Sequence, residues 1–520
     1  MADPTVGAER IETRADLGTD DAGLYEYWMG QDAIAAKQED PWIKIGRHVV
    51  KRYRDDRGTR TENGHKLNIL WANVQTLIPT LYARTPKPDV QRRYLDQDDT
   101  GRLASLLLER SLSYSLDQCA FDDVMLAVVQ DRLLPGRGVS RVMYIPHYGD
   151  PIPDESVEEF ADAEEAGVTI DGPGDEKRDA LKEVVYEEVV VSYVFWEDYR
   201  EGPARTWREV PWVRYRAFMT RDELTKRFGA KGKKVNLDFT PKGVTETNEK
   251  ENVPPDLFKK AEVWEIWDKI KGRVVWLAPN TPDLILDDIA DPLGLPDFYP
   301  SPDPLLATTT TDKRIPVPDY MEYRDQAHEL DKLTARIDTL TRALKVSGIY
   351  PGQQKQLLQQ LIDEGTENKL IPVEDWSAFN DKGGLSGFIQ WMPVKEIADT
   401  LIQLYAARDK TKDLLYEITG IGDIMRGQTS PNETLGAQQL KANFSTRRIV
   451  PQQRAVARVA RDTIRLMAGV IAEHFSPQTI SLITGYPQLN PVPPVPPMPP
   501  QMIPNPALQP PQGMPMGMPQ

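Results

Sequence analysis

The chain has 520 residues and a formal charge of −16, from 63 basic and 79 acidic side chains. A hydrophobic fraction of 40% beside 27% charged residues describes a chain that folds, with length for two to four domains of about 100–200 residues each, while 44 prolines imply a part that does not. A single cysteine, Cys119, excludes an intrachain disulfide and a thiolate metal site within one subunit, and points to a reducing compartment.

No secretory signal pattern opens the chain, and no apolar run approaches the ~20 residues of a membrane helix, so it is expected neither to be secreted nor to span a membrane. The net acidity counts against a nucleic-acid binder, but the average hides an asymmetry. Residues 150–188 hold fifteen acids against Lys177, Arg178 and Lys182, whereas 441–473 hold seven basic residues against Asp462 and Glu473. The two regions must face different surroundings.

In chain order, Leu24, Tyr25, Trp28 and Met29 open a helix that ends in the charged run 51–58. A second helix is predicted over about 65–84, where Ile69, Leu70, Val74, Leu77, Ile78 and Leu81 recur at helical spacing before Pro86. One long helix is predicted over about 99–134, its apolar face carried by Leu103, Leu106, Leu107, Leu112, Leu116, Val124, Val128 and Leu133, with Pro135 and Gly136 breaking it. Strands are read at 139–145, 184–194, 211–217, 262–267 and 274–277, where β-branched and aromatic residues gather. The tryptophans Trp196, Trp207, Trp212, Trp264, Trp267 and Trp276 are read as an aromatic core, since few basic residues alternate with them. The proline-rich stretch 291–318 is read as an extended path along a surface.

Downstream, Tyr323, Ala327, Leu330, Leu333, Ile337, Leu340 and Leu344 keep a 3-4 rhythm, predicting a helix of about 25 residues and ~40 Å. So narrow a stripe requires a flat neighbour: a second helix of the same chain, or the same helix of adjacent subunits. A partner helix is predicted over 393–419, with Ile397, Leu401, Leu404, Leu415 and Ile418 on one side and Lys395, Arg408, Lys410 and Lys412 elsewhere. Between them a small module is predicted: a short helix at 353–362, a strand at 369–373 and a flexible glycine-rich turn at 381–387 before Phe388–Trp391. A glycine-punctuated segment follows, and Ser430 or Asn432 with Glu433 signals the start of a helix running to about Phe475. On that helix Arg447, Arg454, Arg458, Arg461 and Arg465 share one face, and Val456, Ala460, Thr463, Met467 and Val470 another. The arginine face has three readings: solvated, in contact with phosphate, or paired with carboxylates of a neighbouring subunit. From Tyr486 to the end there are fourteen prolines and no charge, the composition of a flexible tail.

Catalytic signals are weak. There is no P-loop sequence, and His48, His65, His147, His328 and His474 are scattered without metal-ligand spacing. Acid pairs such as Asp122 with Asp123 and Asp287 with Asp288 are adjacent in sequence, which suits a solvated edge better than an acid/base couple. No enzyme activity and no cofactor are expected.

The order of elements from Tyr320 to Phe475 resembles the second half of tailed-bacteriophage portal proteins, of the short-tailed-phage type. The resemblance is carried by the glycine run 419–427, the polar stretch 432–440 beginning Asn432, Glu433, Thr434, and Arg447, Arg448, Ile449 with Pro451. It implies an α+β portal-like fold: a wing over 1–317, stem helix 1 over 318–345, a clip over 346–392, stem helix 2 over 393–419, a tunnel-loop region over 420–440, a wing and crown helix over 441–485 and a disordered tail over 486–520. The tail departs from portals that add a long helical barrel. By the same resemblance, Arg426, Gly427, Gln428, Thr429, Ser430, Asn432 and Glu433 would line the channel's narrowest point. Lys395, Arg408, Lys410 and Lys412, with the arginine face, would meet DNA or a neighbouring subunit. The implied partners are copies of the chain in a ring of about twelve, double-stranded DNA held without sequence readout, the terminase packaging motor, head-completion and tail-adaptor proteins, and the major capsid and scaffold proteins. The implied place is a capsid vertex of the virion, reached through the host cytoplasm during assembly. A non-portal assembly or scaffold protein with long helices is the competing reading.

Overall fold

The computed structural model describes residues 21–56, 67–92, 98–149, 184–240, 259–344, 348–349, 390–391, 394–421 and 435–486, with 348–349, 390–391 and 435–446 described by backbone alone. Within these residues the fold is mixed α and β. The first helix, α1 (Asp21–Tyr53), runs through Pro41 and buries Leu24, Tyr25, Trp28, Ala35, Trp42 and Val49 at helical spacing. Two carboxylates, Asp32 and Glu39, lie on that same buried face. Helix α2 (Ile69–Leu81) is capped by the Asn68 side chain, which accepts from the Trp71 N–H.

Where one helix is expected over 99–134, there are two, α3 (Asp99–Gln118) and α4 (Phe121–Leu133). The break sits at Ala120, whose φ of 47° is left-handed and cannot continue a helix. The turn aims Phe121, Met125, Val128 and Val129 into the core, and Tyr82 donates to the Asp122 carboxylate at 2.6 Å across it. Tertiary burial therefore overrides a continuous helical pattern.

Strands β1 (Arg137–Tyr148) and β2 (Val184–Val194) form a long antiparallel ladder from Val139 opposite Val194 to Tyr148 opposite Val184. Gly138 lets β1 touch α4: a Cβ there would lie 2.0 Å from the Val128 carbonyl oxygen. A second sheet is an antiparallel meander of β3 (Tyr199–Glu201), β4 (Trp212–Met219), β5 (Ala261–Asp268), β6 (Arg273–Leu277) and β7 (Ile285–Ala290), in that order. Helix α5 (Arg221–Lys233) leaves β4 through a capping box of Thr220 and Glu223. Alternation along the meander buries both its faces. Trp212, Trp264, Ile266 and Val275 meet α1, whereas Val213, Tyr215, Trp267 and Val274 join the main core. Trp196, Trp212, Trp264 and Trp267 are buried and Trp207 and Trp276 half-buried, so the tryptophans are core residues.

The stretch 291–318 is not a surface path. Leu293, Leu295, Phe298, Tyr299 and Leu305 enter the main core, and β8 (Leu305–Leu306), β9 (Thr308–Thr310) and β10 (Lys313–Val317) follow. Hydrogen bonds compensate the buried polar groups: Tyr299 donates to the Val210 carbonyl at 2.7 Å, Tyr215 to Ser301 at 2.6 Å, and the Val142 N–H to the Pro300 carbonyl at 2.8 Å. The prolines of this stretch lie in non-helical backbone, and backbone of that kind can be buried once its carbonyls find donors.

Candidate functional site

Two helices pack together as a pair. Helix α6 (Tyr320–Ala343) has the expected 3-4 stripe, and Tyr320, Tyr323, Ala327, Leu330, Leu333 and Ile337 are buried along it. Its cover is the chain's own second helix, α7 (Val394–Thr419), packed alongside and contributing Leu401, Thr411 and Leu415. The two run antiparallel, because β11 (Gly348–Ile349) at the far end of α6 pairs antiparallel with β12 (Gln390–Trp391) just before α7. The predicted module between the helices is thus closed at its neck, while its predicted helix, strand and turn at 353–387 lie outside the described residues. Arg52 of α1 holds the middle of α6 through Asp331 at 2.8 Å.

The narrow stripe on α6 is buried within the chain as far as Ile337, with Leu340 half-buried and Leu344 exposed, and α7 adds exposed apolar residues of its own. Ile402 is 67% exposed, Tyr405 41% and Leu414 46%. Ile402 and Tyr405, three residues apart, share one face of α7. The predicted cations on α7 divide. Lys395 and Lys410 are exposed. Arg408 stacks 5.0 Å from the Tyr405 ring beside Asp409 at 3.5 Å, and Lys412 lies 5.9 Å from the Tyr416 ring.

At the body end of the pair, α7 stops at Gly420, whose φ of 70° ends the helix. The next segment carries Arg426, Gly427, Gln428, Thr429, Ser430, Asn432 and Glu433, all of which lie outside the described residues. Helix α8 (Leu435–His474) then runs 40 residues through Pro451, and α9 (Pro477–Thr484) follows, capped by Ser476. A cleft of about 270 Å³ opens where α2, α4, α6, α7 and α8 meet, lined by Asn73, Arg132, Asp319, Glu322, Arg448 and Gln452 among others. Arg132 spans it to Asp319 at 2.5 Å. Arg448 reaches from α8 to the last carbonyls of α7, donating to Glu417 at 3.1 Å and Ile418 at 3.0 Å. Sequence reasoning placed Arg448 in a motif but gave it no role. Its only signal was that it stands one residue off the arginine face, on a different side of the helix.

The faces of α8 fall as expected: Val456, Ala460, Thr463, Met467 and Val470 are buried, with Ile449 and Val459 added. Arg447, Arg454, Arg461 and Arg465 are exposed on the other side, and Arg458 is half-buried. Arg458 turns back into the body, bonded to the Asp303 and Pro304 carbonyls at 3.1 and 3.2 Å and to the Asp303 carboxylate at 3.1 Å. Arg461 and Arg465 share Asp462, at 2.9 and 3.6 Å.

Among the described residues no group of three or more His, Cys, Asp or Glu side chains could hold a metal ion, and no helix is long and apolar enough to cross a membrane. Compared with protein-family models and with curated proteins, the chain matches none.

Proposed function

We propose that this chain is the subunit of a ring-shaped DNA channel of the tailed-phage portal type, used for genome packaging, head–tail joining and genome ejection. The observation that carries the reading is the antiparallel pair α6 and α7 around a module closed at its neck, followed by a short connection and the long α8 with Pro451 inside it. In this reading the pair is the stem, the module between its helices is the clip that meets the packaging motor and later the adaptor proteins, and the region 420–440 is the tunnel-loop region. The apolar face of Ile402 and Tyr405 supports self-association, because a large exposed aliphatic and aromatic pair on a packed helix marks an interaction surface. Around a closed ring one copy's α7 would meet the charged outer side of its neighbour's α6, which carries the exposed residues Arg324, Lys332 and Arg336. Exposed acids on α7, among them Glu396, Asp399, Asp409 and Asp413, complement them. A net acidic chain suits a conduit, since strong phosphate binding would stall a moving duplex.

Native mass and end-on electron images of the purified full-length chain test this. A closed ring of about twelve copies is expected. An elongated dimer or an open filament would favour the competing reading, an assembly or scaffold protein whose paired helices serve lateral association.

A further inference from the structure

The outward face of α8 carries a row of positive charge whose one carboxylate partner among the described residues is Asp462. Arg454, Arg461 and Arg465 stand opposite the buried face of Val456, Ala460, Thr463 and Met467, over a rise of about 16 Å at 1.5 Å per residue. We propose that this row is a phosphate-contact rail for double-stranded DNA, gripping the duplex backbone without reading bases. The proposal rests on the channel reading for the identity of the polyanion.

Three observations favour a ligand over a face that merely meets water. First, the basic side chains from Arg447 to Arg465 are six arginines and no lysine, with Asp462 as the one acid among them. A solvated helix face mixes lysine and glutamate, whereas the guanidinium fork matches the geometry of phosphate oxygens. Second, Arg461 and Arg465 share the single carboxylate of Asp462 and remain 57% and 70% exposed, so positive charge is left over on the surface. Third, several other cations on α7 and α8 are engaged, though Lys395 and Lys410 are exposed. Arg458 is bound to the Asp303 loop, and on α7 Arg408 and Lys412 lie along tyrosine rings among exposed acids. A short row of cations on a chain of charge −16 gives a weak, salt-sensitive grip, which lets the duplex slide.

The test is a full-length triple variant, R454Q/R461Q/R465Q, measured beside the unaltered chain. Fluorescence anisotropy follows binding of short duplexes of unrelated sequence across salt concentrations, and native mass follows assembly. The rail predicts that the variant assembles normally, that affinity falls at least tenfold at low salt for every duplex, and that the log–log salt slope shrinks by about 2–3, at about 0.9 per phosphate contact. The triple lysine variant keeps most of the slope, because it keeps the charge. Unchanged affinity and slope in the glutamine variant, no duplex binding by the unaltered chain at low salt, or equal loss in the lysine variant would each overturn the proposal. So would a glutamine variant that loses its oligomer while binding DNA as before, since the arginines would then be pairing with a neighbouring subunit. An unaltered chain that forms no ring but binds duplex, with that binding lost in the glutamine variant, would sink the channel reading and leave the rail standing.

Discussion

Arg137 of β1 and Glu39 of α1 form an ion pair sealed from solvent, their side chains 3% and 5% exposed. Arg137 also donates to the Trp196 and Tyr199 carbonyls at 3.1 and 2.8 Å and lies 4.4 Å from the Trp42 ring. Arg200 extends the network, meeting Glu39 at 3.3 Å and also Asp32, and Arg214 meets Asp32 at 3.4 Å. Burial pulls Arg214 down to about 10, with Asp32 acting against it. These charges clip α1 onto the two sheets, and a buried pair broken on one side leaves an uncompensated charge. Glu39→Ala is therefore expected to cost about 3–5 kcal/mol, read as a lowered melting temperature by circular dichroism. The double variant E39L/R137M should melt above E39A, because it removes both charges. Equal melting of E39A and the unaltered chain would mean that the pair holds nothing.

Asp131 of α4 accepts a hydrogen bond from the Tyr193 hydroxyl in a buried site. Burial lifts its carboxyl to about 7, against the opposing pull of the Tyr193 bond, the Trp196 N–H and Arg137. A folded-state pKa above the ordinary 3.8 means that the folded chain holds this proton more tightly than the unfolded one. The stabilisation is full below about pH 4 and is lost as pH rises to about 7. Asp131→Asn keeps the site neutral at every pH. Its stability relative to the unaltered chain should rise between pH 4 and pH 8, by about 1.4 kcal/mol per unit of pKa shift at most. A difference that stays flat over that range would contradict the assignment.

What was legible in the sequence was what repeats. The bounds of β2, α6 and α7 follow from runs of β-branched residues and from a 3-4 stripe, signals that one segment carries alone. The break at Ala120 was not legible, because the apolar pattern runs through it and the decision belongs to the core beneath Phe121 and Met125. Nor was the burial of 291–318, which depends on donors such as Tyr299 finding carbonyls far away in the chain. At the candidate site the faces of α8 were readable from spacing. That Arg458 turns inward to Asp303 while Arg461 stays out was not, since both stand on the same stripe and only the loop carrying Asp303 distinguishes them.

Gly420 and Arg448 lock the end of α7 to α8. A Cβ at position 420 would lie 2.5 Å from Arg448 Cδ, in a backbone conformation that costs a non-glycine residue about 1–2 kcal/mol. Gly420→Ala should therefore both strain the turn and push Arg448 off the Glu417 and Ile418 carbonyls. Arg448→Ala removes the same bonds from the other side, at about 0.5–1.5 kcal/mol each. Both variants should raise amide hydrogen exchange over 413–421, and the double variant should exceed either single by less than their sum, because they break one contact. Protection in R448A equal to that of the unaltered chain would show that the lock carries no weight.

Among the described residues Ile402 and Tyr405 are exposed, Tyr405 with only the Arg408 side chain along its ring, whereas Leu401 beside them is buried. Under the ring proposal, that adjacency would separate folding from assembly within a few residues of one helix. Leu401→Glu places a charge in the seam between α6 and α7 and should lower the melting temperature. The double variant I402E/Y405E leaves that seam alone, so its subunit should melt near the unaltered chain at equal protomer state. In a closed ring every subunit offers this face to one neighbour and receives another, so a charge on it weakens every interface at once. The expected result is monomer by native mass, with the circular dichroism spectrum retained. A variant that still closes into the same ring would place the seam elsewhere and remove α7 from the assembly surface.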